Sequence, residues 1–190
     1  MATRAINGAI LRPGEVFSFN EVVGPRGPEY GFVEAPELVN FELVPGYGGG
    51  ICQVASTLFH AALLAGLDVV EHHNHSRPSA YISMGLDATV AYDYLDLKLG
   101  NNGVSPVLFV AGIGEDRLEV AVVGKKWTPE TIRLEIGEIE EIPPPVEQVV
   151  DPTLLPGEIL EEEAGLSGYK VKVERIKTFI RSRTVSRSHQ

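Results

Sequence analysis

Apolar residues recur at helical spacing in one substantial stretch of the chain. From Cys52 to Ala65, Val54, Leu58, Ala61 and Ala65 form one stripe and Ala55, Phe59 and Ala62 a second, with no Pro or Gly between them. This pattern predicts a well-buried helix of about four turns, stopped by Gly66. Residues 1–8 read as the end of a helix capped by Gly8. Elsewhere the pattern has period two. Val16–Asn20 reads as a short strand, residues 38–44 alternate weakly, and Leu67–His75 reads as a strand returning from the helix. Ala88–Leu99 reads as another, with Leu95, Leu97 and Leu99 on one face and Asp96 and Lys98 on the other. Val107–Ile113 and Arg117–Val123 flank Gly114-Glu115-Asp116, a hairpin signal. Gly24 to Gly31, with three Gly and two Pro, is a loop. The expected fold class is α+β: a central helix starting at the Cys52 glycine turn, packed on a mainly antiparallel sheet, with a small β-rich C-terminal module.

Composition divides the chain in two. After Trp127 the sequence turns acidic and proline-rich, and Glu138–Glu141 with Pro143-Pro144-Pro145 reads as a linker or a stiff entry to a second module. The expected domains are residues 1–128 and residues 129–190. The net charge of −10 gives no electrostatic reason to bind nucleic acid or an anionic membrane surface. Lys170–Arg187 is locally basic, but short and balanced by Glu158–Glu163, and reads as a solvated face. No apolar run is long enough to span a bilayer and no signal peptide is present. The chain begins abruptly, like an excised piece, so this does not argue for the cytoplasm. A single cysteine, Cys52, rules out an intrachain disulfide.

Candidate chemistry converges on that cysteine. Cys52 follows Gly48-Gly49-Gly50 and opens the predicted helix. Glycines let the backbone turn sharply and let a ligand approach it. A helix N-terminus offers free N–H groups and a partial positive charge, which favour the thiolate and can stabilise an oxyanion. His72, His73 and His75 lie downstream. If Leu67–His75 is a strand, His73 and His75 share a face with Glu71 while His72 points away. A strand running back along a helix of about 14 residues, roughly 21 Å, returns His75 to the level of Cys52. Cys52 is thus the candidate nucleophile and His75 its base, with His73 also a candidate. His60, within the helix, reads as a satisfied core histidine. Asp87, Asp93 and Asp96 could each orient a histidine, and spacing does not choose among them. Thiolate and imidazole would also suit zinc, but no second cysteine or spaced carboxylates accompany them, so no metal or cofactor is expected.

Several motifs carry a family resemblance. Gly48-Gly49-Gly50-Ile51-Cys52-Gln53-Val54, Ala61-Ala62-Leu63-Leu64-Ala65-Gly66-Leu67, His73-Asn74-His75-Ser76, Tyr81 and Gly85-Leu86-Asp87-Ala88-Thr89-Val90 resemble the VanW family. Upstream, Pro13-Gly14-Glu15-Val16-Phe17-Ser18-Phe19-Asn20 and Val23-Gly24-Pro25 resemble it too. The likeness runs collinearly over roughly residues 5–126. His72 departs from the pattern, standing where a basic residue, often arginine, is expected.

The resemblance implies an exported, wall- or membrane-anchored protein acting as an L,D-transpeptidase on peptidoglycan stem peptides. Cys52 would form a thioester with the third stem residue, and a second stem would resolve it into a 3-3 cross-link; water as acceptor would make a carboxypeptidase. Gly49, Gly50, Gln53, Ser76, Tyr81 and Asp87 are the implied substrate-contacting positions. The alternative is a non-catalytic cell-wall binding or accessory domain whose glycines and histidines line a groove. Glu141-Ile142-Pro143, Val149-Val150-Asp151-Pro152, Pro156-Gly157, Gly165 and Gly168-Tyr169-Lys170-Val171 resemble a truncated G-five module, which implies a small extracellular β unit with affinity for cell-wall glycan.

Overall fold

The computed structural model describes residues 1–39, 42–125, 130–146, 152–155, 157–160 and 165–179. Helix α1 (Ala2–Ile6) leads into strands β1 (Ile10–Leu11) and β2 (Val16–Ser18), then the short helix α2 (Phe19–Val23). Strands β3 (Ala35–Val39) and β4 (Glu42–Gly46) precede the long helix α3 (Ile51–Ala65). Strands β5 (Asp68–Glu71), β6 (Lys98–Gly100), β7 (Val107–Ile113) and β8 (Leu118–Gly124) follow. Strands β9 (Glu130–Ile136), β10 (Glu140–Ile142), β11 (Gly168–Lys170) and β12 (Val173–Phe179) complete the described chain. Among the described residues every pairing is antiparallel, in two three-stranded sheets, β1-β7-β8 and β2-β6-β5, and three two-stranded ribbons. The fold is α+β, with few helices and mostly antiparallel sheet.

The predicted helix is α3, one residue longer at its start. Ile51, Val54, Ala55, Leu58, Phe59 and Ala62 are buried, joining Ile6, Phe17, Phe19, Leu97, Leu99 and Phe109 in one core. Phe17 meets Phe109 edge to face, with ring centroids 4.9 Å apart. Ala65, expected in the buried stripe, is exposed at the C-terminal end. Gly66 ends the helix in the left-handed conformation, φ 81°, where a residue with a Cβ would be strained.

The three glycines before α3 have separate reasons. A Cβ on Gly48 would crowd the Glu37 carboxylate, whose Oε1 accepts from the Gly48 N–H. A Cβ on Gly49 would strike that of Ala35 on β3. Gly50 caps the helix at φ 82°. The turn is thus seated tightly against the β3-β4 ribbon.

Several expected strands are shorter than their patterns. β2 stops at Ser18, whose hydroxyl accepts from the Glu21 N–H and caps α2. β5 ends at Glu71 after a bulge, not at His75. Beyond it the backbone turns to the 87–89 segment: the Thr89 N–H donates to the His73 carbonyl and the His75 N–H to the Asp87 carboxylate. The predicted Ala88–Leu99 strand is correct only at its end, as β6. Asn20 breaks it by donating from Nδ2 to the carbonyls of Ala91, at 3.1 Å, and Leu95, at 2.9 Å, holding residues 91–95 as a turn. Asp96 is buried rather than outward, because it accepts from Ser18 Oγ and the N–H groups of Asn20 and Leu97.

The predicted boundary at 128/129 falls within residues 126–129, outside the described residues, as does the basic stretch beyond residue 179. Part of the predicted linker is strand β10, paired with β11. The β9-β12 ribbon leans on the end of α3. Arg175 Nη1 donates to the Leu67 carbonyl at 2.7 Å, and Ile132 Cδ1 would lie 2.9 Å from a Cβ on Gly66.

Candidate functional site

Cys52 is the second residue of α3, half-buried. The Ile51 N–H is used by the Gly48 carbonyl and that of Val54 by Gly50. The N–H groups of Cys52 and Gln53 lie in the first turn, where no intrahelical carbonyl is available to them, and no side chain caps this end. Two backbone donors beside a sulfur suit a developing oxyanion. The Cys52 Sγ lies 3.6 Å from Thr89 Oγ1 and 3.6 Å from the Val90 carbonyl oxygen.

The return chain brings His75 close enough to the thiol that each group shifts the titration of the other. His75 Nδ1 pairs with Asp87 Oδ2 at 2.8 Å, so Nε2 is the ring nitrogen free of the carboxylate; it lies 3.3 Å from Tyr81 Oη. Asp87 is 6% exposed. It accepts from the His75 N–H at 2.7 Å and from Asn74 Nδ2 at 3.3 Å.

The charges reinforce one another. Hydrogen bonding to Asp87, then to Cys52, raises His75 to about 9 against the opposing effect of burial. Burial pushes Asp87 up, but bonds from the His75 ring and backbone and from Asn74 outweigh it, so the carboxyl stays below its usual range. Burial likewise pushes the Cys52 thiol up, and its bonds to His75 and Thr89 with the imidazolium charge bring it below its ordinary value. The Val90 carbonyl can only accept, so it contacts the protonated thiol and not the thiolate. The arrangement favours a thiolate–imidazolium pair oriented by a buried carboxylate, the requirement for a thiol nucleophile with an adjacent acid–base group.

The other predicted residues divide. Gly49, Gly50 and Gln53 line one face of the helix start, bordering a cavity of about 870 Å³ that reaches the β7-β8 tip. Ser76 and Asp87 border a second cavity, about 410 Å³, against β11 and β12. Tyr81 reaches the His75 ring. His73 is not brought to Cys52; its Nε2 pairs with Glu71 at 3.1 Å. Lys98, then His73, hold Glu71 down to about 2. The end of β5 at Glu71 separates His73 and His75, which a continuous strand would have placed on one face. Of the acidic candidates only Asp87 meets a site histidine through its carboxylate. Asp96 is committed to Ser18, Asn20 and Leu97, and Asp93 sits exposed at φ 60° in the Asn20-centred turn. Among the described residues, no three His, Cys, Asp or Glu side chains gather to hold a metal ion.

Sequence reasoning missed three contributors. His72 is not a bystander: its Nε2 meets the Asp87 carbonyl at 2.7 Å while its ring stacks on Phe59, centroids 4.1 Å apart, fixing the backbone that carries the carboxylate. Thr89 supplies a hydroxyl at the sulfur. Arg26, from the Gly24–Gly31 loop, lies over the Tyr92 ring at 5.2 Å from its centroid. A lone cation among Gly and Pro residues was the available signal for Arg26; Thr89 was part of the Gly85–Val90 motif, but its spacing did not set it apart.

The structure thus defines an α+β domain with a cysteine–histidine–aspartate cluster at a helix N-terminus. Residues 1–123 match the family described as VanW like protein, and the chain belongs to that family. Over 111 residues, 58% of the chain, it is 43% identical to the uncharacterized protein YoaR of Bacillus subtilis (strain 168), covering 37% of that protein. Over 107 residues, 54% of the chain, it is 29% identical to the vancomycin B-type resistance protein VanW of Enterococcus faecalis (strain ATCC 700802 / V583), covering 39% of that protein. The chain therefore spans well under half the length of either relative. No solved structure matches it significantly.

Proposed function

We propose that this chain is a cysteine-dependent acyltransferase of peptidoglycan, of the L,D-transpeptidase type. The observation that carries the reading is the Cys52–His75–Asp87 arrangement at the start of α3. The Cys52 thiolate attacks the carbonyl carbon joining the third stem residue to the terminal D-alanine. A C–S bond forms and the carbonyl π pair moves to oxygen, facing the N–H groups of Cys52 and Gln53. The pair then returns, the C–N bond breaks, and the His75 imidazolium gives its proton to the departing amine. A thioester remains. The side-chain amine of a second stem attacks it, His75 takes the proton, and a 3-3 cross-link forms as the thiolate is released. Water as acceptor gives a carboxypeptidase by the same steps.

The setting is part of the proposal. The name of the Enterococcus faecalis relative refers to vancomycin resistance, which supports a role at the cell wall, outside the cytoplasm, in a longer anchored protein. The C-terminal ribbons would then be a G-five-like unit touching wall glycan. The test is incubation of the protein with stem tetrapeptide muropeptides, followed by intact mass. An adduct equal to the donor minus D-alanine, absent in Cys52→Ala, is expected. Muropeptide binding without any adduct over hours would sink the catalytic reading in favour of a wall-binding domain.

A further inference from the structure

Among the described residues Arg26 forms no ion pair, although Asp96 and Asp93 lie near enough to act on its charge. Its Nη2 donates to Asn20 Oδ1 at 2.6 Å, a neutral partner. Tyr92 covers one face of the guanidinium. Its Nη1 is buried and has no hydrogen-bond partner among the described residues. The neighbouring acids act on it only through space: Asp96 spends its hydrogen bonds on Ser18, Asn20 and Leu97, and Asp93 is exposed. A half-buried guanidinium with an idle donor is costly, since the unmet donor has given up water without gaining a bond. Such a group becomes favourable when an anion arrives.

Its placement says where that anion would be. Asn20, which grips Arg26 through Oδ1, holds the carbonyls of Ala91 and Leu95 through Nδ2. Val90, the residue before that turn, contacts the Cys52 sulfur through its carbonyl. The guanidinium, braced by Asn20 and Tyr92, is thus tied through residues 90–95 to the segment that contacts the nucleophile. Burial pulls Arg26 below its ordinary value, and the largest influence acting against burial is the charge of Cys52.

We propose that Arg26 is a carboxylate-binding residue of the Cys52 site, receiving the α-carboxylate of the residue that leaves the donor peptide. The inference rests on the acyl-transfer reading for the identity of the peptide. Its chemistry is specific. The carboxylate of a C-terminal residue lies one residue beyond the scissile carbonyl, a reach of about 3.3–3.6 Å along an extended chain. A fixed cation beside the thiol thus selects donors from which a single residue departs. It disfavours donors with two residues beyond the bond, and it disfavours amidated ends. Arginine suits the task because its planar fork matches a carboxylate with two donors.

The test separates this role from simple support of the thiolate. In the Cys52→Ala protein, which cannot react, titration calorimetry compares a stem tetrapeptide ending in a free carboxylate with its C-terminal amide. The free acid should bind at least about tenfold tighter, as loss of a charge-assisted pair implies. Adding Arg26→Gln should erase that preference, and Arg26→Lys should restore part of it. A preference that survives Arg26→Gln, or no preference in the Arg26 protein, or no measurable binding of the acid, overturns the proposal. In the Cys52 protein, the pH profile of thiol alkylation is measured with Arg26→Gln. A large upward shift of the thiol with discrimination intact would make Arg26 a thiolate-supporting residue and also overturn it. Carboxylate preference in Cys52→Ala without any acyl-enzyme in the intact protein would keep the site and sink the transpeptidase. Acyl-enzyme formed equally well from acid and amide would do the reverse.

Discussion

The domain up to β8 and the ribbons after it are built on different principles. Every residue of the buried hydrophobic core lies between Ala2 and Phe109. In the ribbons, Ile136, Ile139, Ile142 and Tyr169 are between 41% and 48% exposed. The domain closes layers over α3, and its polar groups are held by long-range side-chain bonds such as Asn20 to Ala91 and Leu95. The ribbons are two-stranded, a form that is marginal alone in water, and they rest on the domain through Arg175 to Leu67, Ile132 against Gly66, and Val171 and Val173 against Gly85, among the described residues. A packed core fixes side-chain geometry to the degree that a catalytic cluster needs; a ladder of backbone bonds fixes register alone.

This contrast is open to direct attack. The largest effect should come from the cluster. Cys52→Ala should abolish acyl-enzyme formation, and His75→Ala should lower it by about 10²–10⁴-fold, while both proteins keep the far-UV circular dichroism of the parent. Full activity in either would remove the cluster from the chemistry. Next comes the core: Phe109→Ala should cost about 3–5 kcal/mol in denaturant unfolding, because the ring is fully buried against Phe17. A loss under about 1 kcal/mol would show that the core is not where stability resides.

The carboxylate should show itself through pH. The Cys52 thiol lies below its ordinary value and His75 is raised to about 9. Alkylation by iodoacetamide should therefore already be fast near pH 7, where a free cysteine is mostly protonated. Asp87→Asn removes the charge that sustains the imidazolium. The rate profile should move to higher pH, and an unmoved profile would refute Asp87 as the orienting group. The smallest effects should come from the ribbons. Arg175→Ala should loosen their docking by about 1 kcal/mol, read as faster amide exchange in residues 130–136 and 173–179 with β7 and β8 unchanged. Tyr169→Ala should stay within about 0.5 kcal/mol of the parent, and a global loss from either variant would mean the ribbons belong to the domain's cooperative unit.

Much of the frame was legible from local signals. α3 and its Gly66 stop, the β7-β8 hairpin and the glycine turn ahead of Cys52 follow from periodicity and from residues with special backbone freedom. The juxtaposition of His75 with Cys52 was also legible, through the length of α3 and the turn that follows it. The path is not the continuous strand expected, since β5 ends at Glu71. Period-two patterns overran at both Ser18 and Ala88–Leu99 because local side-chain bonds stopped the strands: the Ser18 cap on α2, and Asn20 reaching from 71 residues upstream to Ala91.

The sequence by itself determined which groups can perform chemistry: one thiol placed at a helix start by glycines, and histidines close enough along the chain to return to it. Only the tertiary structure decided which partners those groups have. Asp87 rather than Asp93 or Asp96 meets His75, His73 turns to Glu71, and Arg26 arrives from another loop to be held by Asn20 over the Tyr92 ring. Helix propensity, turn chemistry and periodicity act over a few residues and so can be read along the chain. The choice among three similar aspartates depends on which backbone N–H groups and rings reach each carboxylate in three dimensions, and no spacing encodes that.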